Sequence, residues 1–188
     1  MEEAAFDRER VLNEIIEREV TMFLATQNQG GQAICQQHPD TARLFRWMTH
    51  SVHSNAVLNS YLEDLRQAET DGRNLMAEKY ARMDNMIPPR SHFAGLPELV
   101  STEVAWQKDV MARFPHVLHG REDDDFANYL SCELETMSDR TLALRLEEQR
   151  QAVKDGRNMA QERYENLWHR LGRPSLAECE RQATAGAV

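Results

Sequence analysis

The amino-acid sequence predicts an all-α protein, a helical bundle made by tandem duplication of a three-helix unit whose copies are related by a pseudo-twofold axis. Three observations lead there. Apolar residues recur every three or four positions, the period of a buried helix face. The stretch from Ile87 to Pro97 concentrates helix breakers and reads as a linker. Shifting the sequence by 84 positions lays the second half on the first without a gap in the helical parts. Under that shift Leu58, Leu62, Arg66, Gln67, Asp71, Gly72, Arg73, Asn74, Glu78 and Tyr80 meet Leu142, Leu146, Arg150, Gln151, Asp155, Gly156, Arg157, Asn158, Glu162 and Tyr164. Leu12, Ile16 and Glu19 likewise meet Leu96, Val100 and Glu103, so the repeat reaches back to an earlier helix.

The first helix, about residues 6 to 27, places Leu12, Ile15, Ile16, Met22 and Phe23 on one stripe. A second, about 40 to 53, follows Pro39 and takes Asp40 or Thr41 as its cap. The third, about 55 to 86, starts after Ser54 and carries Leu58, Tyr61, Leu62, Leu65, Leu75, Met76, Tyr80 and Met83 in continuous phase. Gly72 falls on that apolar face, as does Gly156 in the second copy. A mid-helix glycine costs about 1 kcal/mol relative to alanine, so the pair marks either the close approach of another backbone or a break at Asp71-Gly72. The domain reading is one unit over 1–188: repeat one 6–86, linker 87–97, repeat two 96–171 and a short C-terminal helix 175–184.

With 188 residues and 41% hydrophobic content the chain can fill a core without staples. Cys35, Cys132 and Cys179 form no C-x-x-C pair, so neither a disulfide framework nor a cysteine zinc site is signalled, and a reducing compartment is expected. The acidic start Met1-Glu2-Glu3 lacks the basic-then-apolar pattern of a secretory signal, and no apolar run reaches a membrane span. A cytoplasmic location without a membrane partner is the expectation. The formal charge of −9 argues against general polyanion binding and suits a cationic or zwitterionic ligand. No cofactor is signalled, and the oligomeric state leaves no mark in the sequence.

Glu19 lies inside the apolar stripe of the first helix, and Glu103 takes the equivalent place among Leu99, Val100 and Trp106. A buried carboxylate has to be paired, protonated or bound to something, which fits a functional group and equally one that caps a helix or holds an arginine. Gln67, Asp71, Asn74 and Glu78 form a polar stripe that returns as Gln151, Asp155, Asn158 and Glu162. Exposed polar residues have little reason to keep their identity between copies, so the stripe suggests a packed network or a symmetric pocket, against an exposed face. His50 with His53 and His116 with His119 have the i, i+3 spacing of metal ligands, yet no histidine follows an acidic residue by three positions, as di-iron bundles require. No metal site is assigned. Arg43, Arg46, His50 and His53 share helical spacing beside Trp47, a face for RNA or another anion, or a solvated face with salt bridges.

The runs Tyr61-Leu62-Glu63-Asp64-Leu65, Gly72-Arg73-Asn74-Leu75 and Glu78-Lys79-Tyr80-Ala81-Arg82-Met83, with Gly30-Gly31 and Cys35-Gln36, resemble a bacterial and fungal family catalogued as domain of unknown function number four-one-two-five. The likeness covers most of the chain. Val20 departs from it, standing where a tryptophan often follows the glutamate. A weaker association links such small helical proteins to fungal arginine-containing cyclodipeptide synthases, which would make aminoacyl-tRNA a partner of the Arg43 to His53 face.

The leading expectation is a small helical enzyme of specialised metabolism, acting on a polar or cationic, amino-acid-like molecule in a pocket between the halves. Glu19, Glu78, Glu103 and Glu162 would supply acid-base or cation-binding groups. Asn74, Asn158, Arg73, Arg157, Tyr80 and Tyr164 would bind substrate. The alternatives are the tRNA-dependent synthase and a non-catalytic interaction or scaffold module in which the polar stripes are structural.

Overall fold

The structure is a computed structural model that describes residues 7–27, 31, 34–118 and 123–185, with Cys35 described in its backbone alone. Among these residues it is all-helical. The elements are α1 (Arg8–Ala25), α2 (Pro39–His50), α3 (Asn55–Thr70), α4 (Leu75–Met83), α5 (Leu96–Arg113), α6 (Asp123–Leu134), α7 (Asp139–Lys154), α8 (Met159–Arg170) and α9 (Leu176–Ala185), with a 3-10 turn at Ile34–Gln37 before α2. No helix among the described residues is long and apolar enough to cross a membrane.

The long third helix expected over 55 to 86 is broken, so each 84-residue span holds four helices and not three. The cause is local. Gly72 adopts a left-handed φ of 66°, and with it the Arg73 amide reaches the Ala68 carbonyl at 2.8 Å while the Gly72 amide reaches that of Glu69 at 3.1 Å. These two bonds close a helix C-terminus on its orphan carbonyls. Gly156 repeats the geometry, with φ 68° and bonds to Ala152 and Val153 of 2.8 and 3.1 Å. A Cβ added at either glycine would meet nothing within 4 Å, so backbone conformation, and not the close approach of another chain segment, requires glycine there. Asn74 then caps α4, its Oδ1 accepting from the Ala77 amide at 2.9 Å, and Asn158 caps α8 from Gln161 at 3.0 Å. Ser54 and Ser138 cap α3 and α7. For α2 the expected cap is displaced: His38 is the N-cap and gives no side-chain bond, Pro39 opens the helix, and it stops at His50.

Two helices of like sequence meet at the centre. α3 packs on α7, where the hydroxyls of Ser60 and Thr141 lie 2.8 Å apart, both buried. The contacts across this seam are reciprocal: the Ser138 amide donates to Asp64 and the Ser54 amide to Glu148, partners related by the same 84 positions. Outside it, α1 packs on α2, α3 and α4, and α5 on α6, α7 and α8. The two spans also exchange edges, α4 lying on α6 and α8 on α2. One core joins Leu12, Ile15, Leu58, Leu65 and Leu75 to Leu99, Leu134, Leu142 and Leu146, and a second sits under α9, where Leu176 is buried with Val110, Phe114 and Ala160.

Candidate functional site

The edge exchange leaves a cavity of about 620 Å³ whose walls come from α1, α2 and α4 on one side and α5, α6, α7 and α8 on the other. Thr41 and Phe45 of α2 line it and are exposed, so its mouth lies along that helix. Its floor is charged. Glu19, Glu103 and Glu133 supply carboxylates, and Arg46, Lys79, Arg145 and Arg163 supply cations.

Glu19 is fully buried, because the 3.6-residue phase of α1 puts it on the same face as Ile15, Ile16 and Val20. Four donations satisfy it. Arg46 forks onto both oxygens, with Nε to Oε2 at 2.8 Å, His50 Nε2 donates at 2.9 Å and the Tyr61 hydroxyl at 2.7 Å. Burial alone would raise this carboxyl, but the Arg46 charge and the hydrogen bonds from His50 and Arg46 overcome it and hold it at about 2. Arg46 continues to Glu133 at 3.1 Å, which also accepts from Lys79 at 3.0 Å. The Glu133 charge outweighs the burial of Lys79 and raises its pKa, so the amine stays an ammonium. Lys79 donates as well to the Tyr129 hydroxyl at 3.0 Å. In the second span Glu103 is buried and forked by Arg163, whose charge overcomes burial and lowers the carboxyl. Lys79 and Arg163 occupy equivalent positions, as do Tyr80 and Tyr164, and all four line the cavity.

Several expected site residues stand elsewhere. Glu78 and Glu162 are bidentate partners of Arg73 and Arg157, at 2.7 to 2.9 Å, and none of the four lines the cavity. Asn74 and Asn158 are caps whose amides also tie back to the Met22 and Trp106 carbonyls, at 2.8 and 3.1 Å, and neither lines the cavity. The remainder of the polar stripe, Gln67 with Asp71 and Gln151 with Asp155, forms one-turn side-chain bonds of 2.9 and 2.8 Å beside the break. This stripe keeps its identity because it builds the turn. The supposed RNA face also turns inward except at Arg43, which stays on the surface. His50 and His53 are buried, Arg46 spans two buried carboxylates, and Arg43 is engaged by Glu17 at 2.7 Å. His53 gives its Nδ1 proton to Glu148 at 2.6 Å, and burial followed by the Arg145 charge lowers its pKa to about 4. His116 binds Glu180 at 2.5 Å, and His119 lies outside the described residues.

Lys79, Tyr129, Glu133, Arg145 and Arg163 belong to the site without having been expected. A signal existed for three of them. Lys79 and Arg163 are cations at equivalent positions on apolar helix faces, beside Met76 and Met83 and beside Met159 and Leu167, and Arg145 interrupts the stripe of Leu142 and Leu146 as Glu19 does its own.

A family model described as "Protein of unknown function (DUF4125)" matches residues 9–181. The chain belongs to that family. No curated protein and no solved structure is significantly similar to this DUF4125 member, and nothing in these comparisons supports the association with cyclodipeptide synthases.

Proposed function

We propose that this DUF4125 protein binds a small molecule in the cavity between its two spans. The observation that carries the reading is the convergence, on one cavity of about 620 Å³, of charged groups from seven helices, five of them buried and two nearly so. That volume falls within the range of small-molecule sites, roughly 300 to 1,000 Å³. Buried charges are expensive in a fold that uses them only as glue.

The proposal includes the origin of the site. The chain is read as one domain made by duplication, with a pseudo-twofold axis passing between α3 and α7 and on into the cavity. Support comes from the reciprocal bonds of Ser54 with Glu148 and Ser138 with Asp64, and from ties such as Arg66 to Glu14 and Arg150 to Glu98, both 2.7 Å, at equivalent places.

The ligand differs from the cationic one that composition suggested. Glu19 and Glu103 are already occupied by arginines, and with both carboxyls held below the ordinary range, Glu19 at about 2, they are poor proton donors or acceptors at neutral pH. We assign both to holding Arg46 and Arg163 in place, and proton transfer by them is not part of the proposal.

The test is retention of a small molecule. Purified protein equilibrated with a metabolite extract, washed, denatured and analysed by mass spectrometry should release a compound that Ala42→Trp, which fills the cavity wall, no longer retains at an unchanged melting temperature. Release of nothing by the unsubstituted protein, or of the same compound by Ala42→Trp, overturns the reading.

A further inference from the structure

Three of the four cations around the cavity are spoken for. Arg46 bridges Glu19 and Glu133, Lys79 joins Glu133, and Arg163 takes Glu103. Arg145 is different. It is 6% exposed, it lines the cavity, and among the described residues no carboxylate oxygen lies within 4.0 Å of it. The contact its guanidinium makes is from Nη1 to the Sδ of Met137 at 3.6 Å, a weak acceptor. Glu148, one turn on, is taken by His53 and the Ser54 amide. The duplication makes the anomaly plain: the position equivalent to Arg145 is Tyr61, whose hydroxyl completes the shell of Glu19. The second span replaces that neutral donor with a guanidinium that the charges of Glu103, Glu133 and Glu148 reach only beyond ion-pair distance.

We propose that Arg145 anchors the carboxylate of an amphipathic monocarboxylic acid, a class of ligand deepening the reading of the cavity as the binding site and resting on it. Charge selects the head group. Among the groups that line the cavity four cations face three carboxylates, so a ligand with one negative charge balances the lining, whereas a phosphate dianion would leave a new excess there. A carboxylate also matches the guanidinium fork with two parallel hydrogen bonds. The body of the ligand is set by the walls, where Phe23, Phe45, Met48, Met76, Phe126 and Leu130 present apolar surface.

Calorimetric titration with decanoate, decanol, decyl phosphate and decylammonium tests this on the whole chain. Decanoate should bind about tenfold or more tighter than decanol, the size of a charge-assisted bond, and tighter than decyl phosphate. Arg145→Met should reduce decanoate to the level of decanol, leave decanol unchanged, and keep or raise the ligand-free melting temperature, because an unpaired buried charge has gone. Arg145→Lys should retain part of the preference. Equal binding of decanoate and decanol, tightest binding of decyl phosphate or decylammonium, or a lowered melting temperature in Arg145→Met overturns the anchor while leaving the cavity as a binding site. If none of the four probes binds, the cavity reading itself fails.

Discussion

A carboxylate among leucines and isoleucines has to be neutralised by its surroundings, and for Glu19 the surroundings are an arginine fork, an imidazole and a phenol. Glu19→Gln would leave Arg46 with Glu133 as its one carboxylate and break a largely buried pair, a change costing on the order of 3 to 5 kcal/mol. Glu162→Gln breaks a pair whose side chains are 46% and 33% exposed, and should cost less than about 1 kcal/mol. Urea unfolding of the two variants checks the contrast; equal losses would contradict the burial argument. His53 gives the fold a pH dependence of definite sign. Its folded pKa of about 4 lies below the ordinary 6.5, so between those values the unfolded chain holds a proton that the folded chain refuses. Stability is therefore lost as pH falls from 6.5 towards 4, by on the order of 3 kcal/mol, before the carboxylates titrate. Unfolding measured from pH 7.5 to 4 should show this slope, and His53→Gln should flatten it.

At the scale of the helix, the sequence carried the faces better than the ends. The stripe of α1 and the caps Ser54 and Ser138 follow from periodicity and side-chain chemistry visible in the chain. The break after α3 was ambiguous because Leu75, Met76 and Tyr80 resume in the phase that Leu58 and Leu65 set, so periodicity cannot register a turn that preserves it. Glycine identity was the available signal, and φ resolves its meaning. Gly72→Ala and Gly156→Ala should each destabilise by about 1 to 2 kcal/mol, the penalty of a left-handed residue with a Cβ, in thermal or urea unfolding. A loss far beyond that would mean a packing clash that the open space around both positions excludes. Asn74→Ala, which removes a cap and the tie to Met22, should cost about 1 to 2 kcal/mol and leave ligand binding unchanged.

For the whole molecule, what the sequence made legible was the burial of Glu19 and Glu103, and what it concealed was the third cavity carboxylate, Glu133, and the groups that neutralise all three. Glu133 and Lys79 meet only because α4 lies across α6 from the other span, a juxtaposition that no local pattern encodes. The same crossing explains why the polar stripe, though repeated, lies outside the site: it serves the turns between consecutive helices, while the cavity is formed where distant ones cross. A single chamber fed by both spans is the central claim, and ligand stoichiometry measures it most directly. Native mass spectrometry with decanoate should show one ligand per chain, displaced by obstruction from either side, through Ala42→Trp on α2 or Gln107→Trp on α5. Two ligands per chain, or one that survives both substitutions, would contradict it.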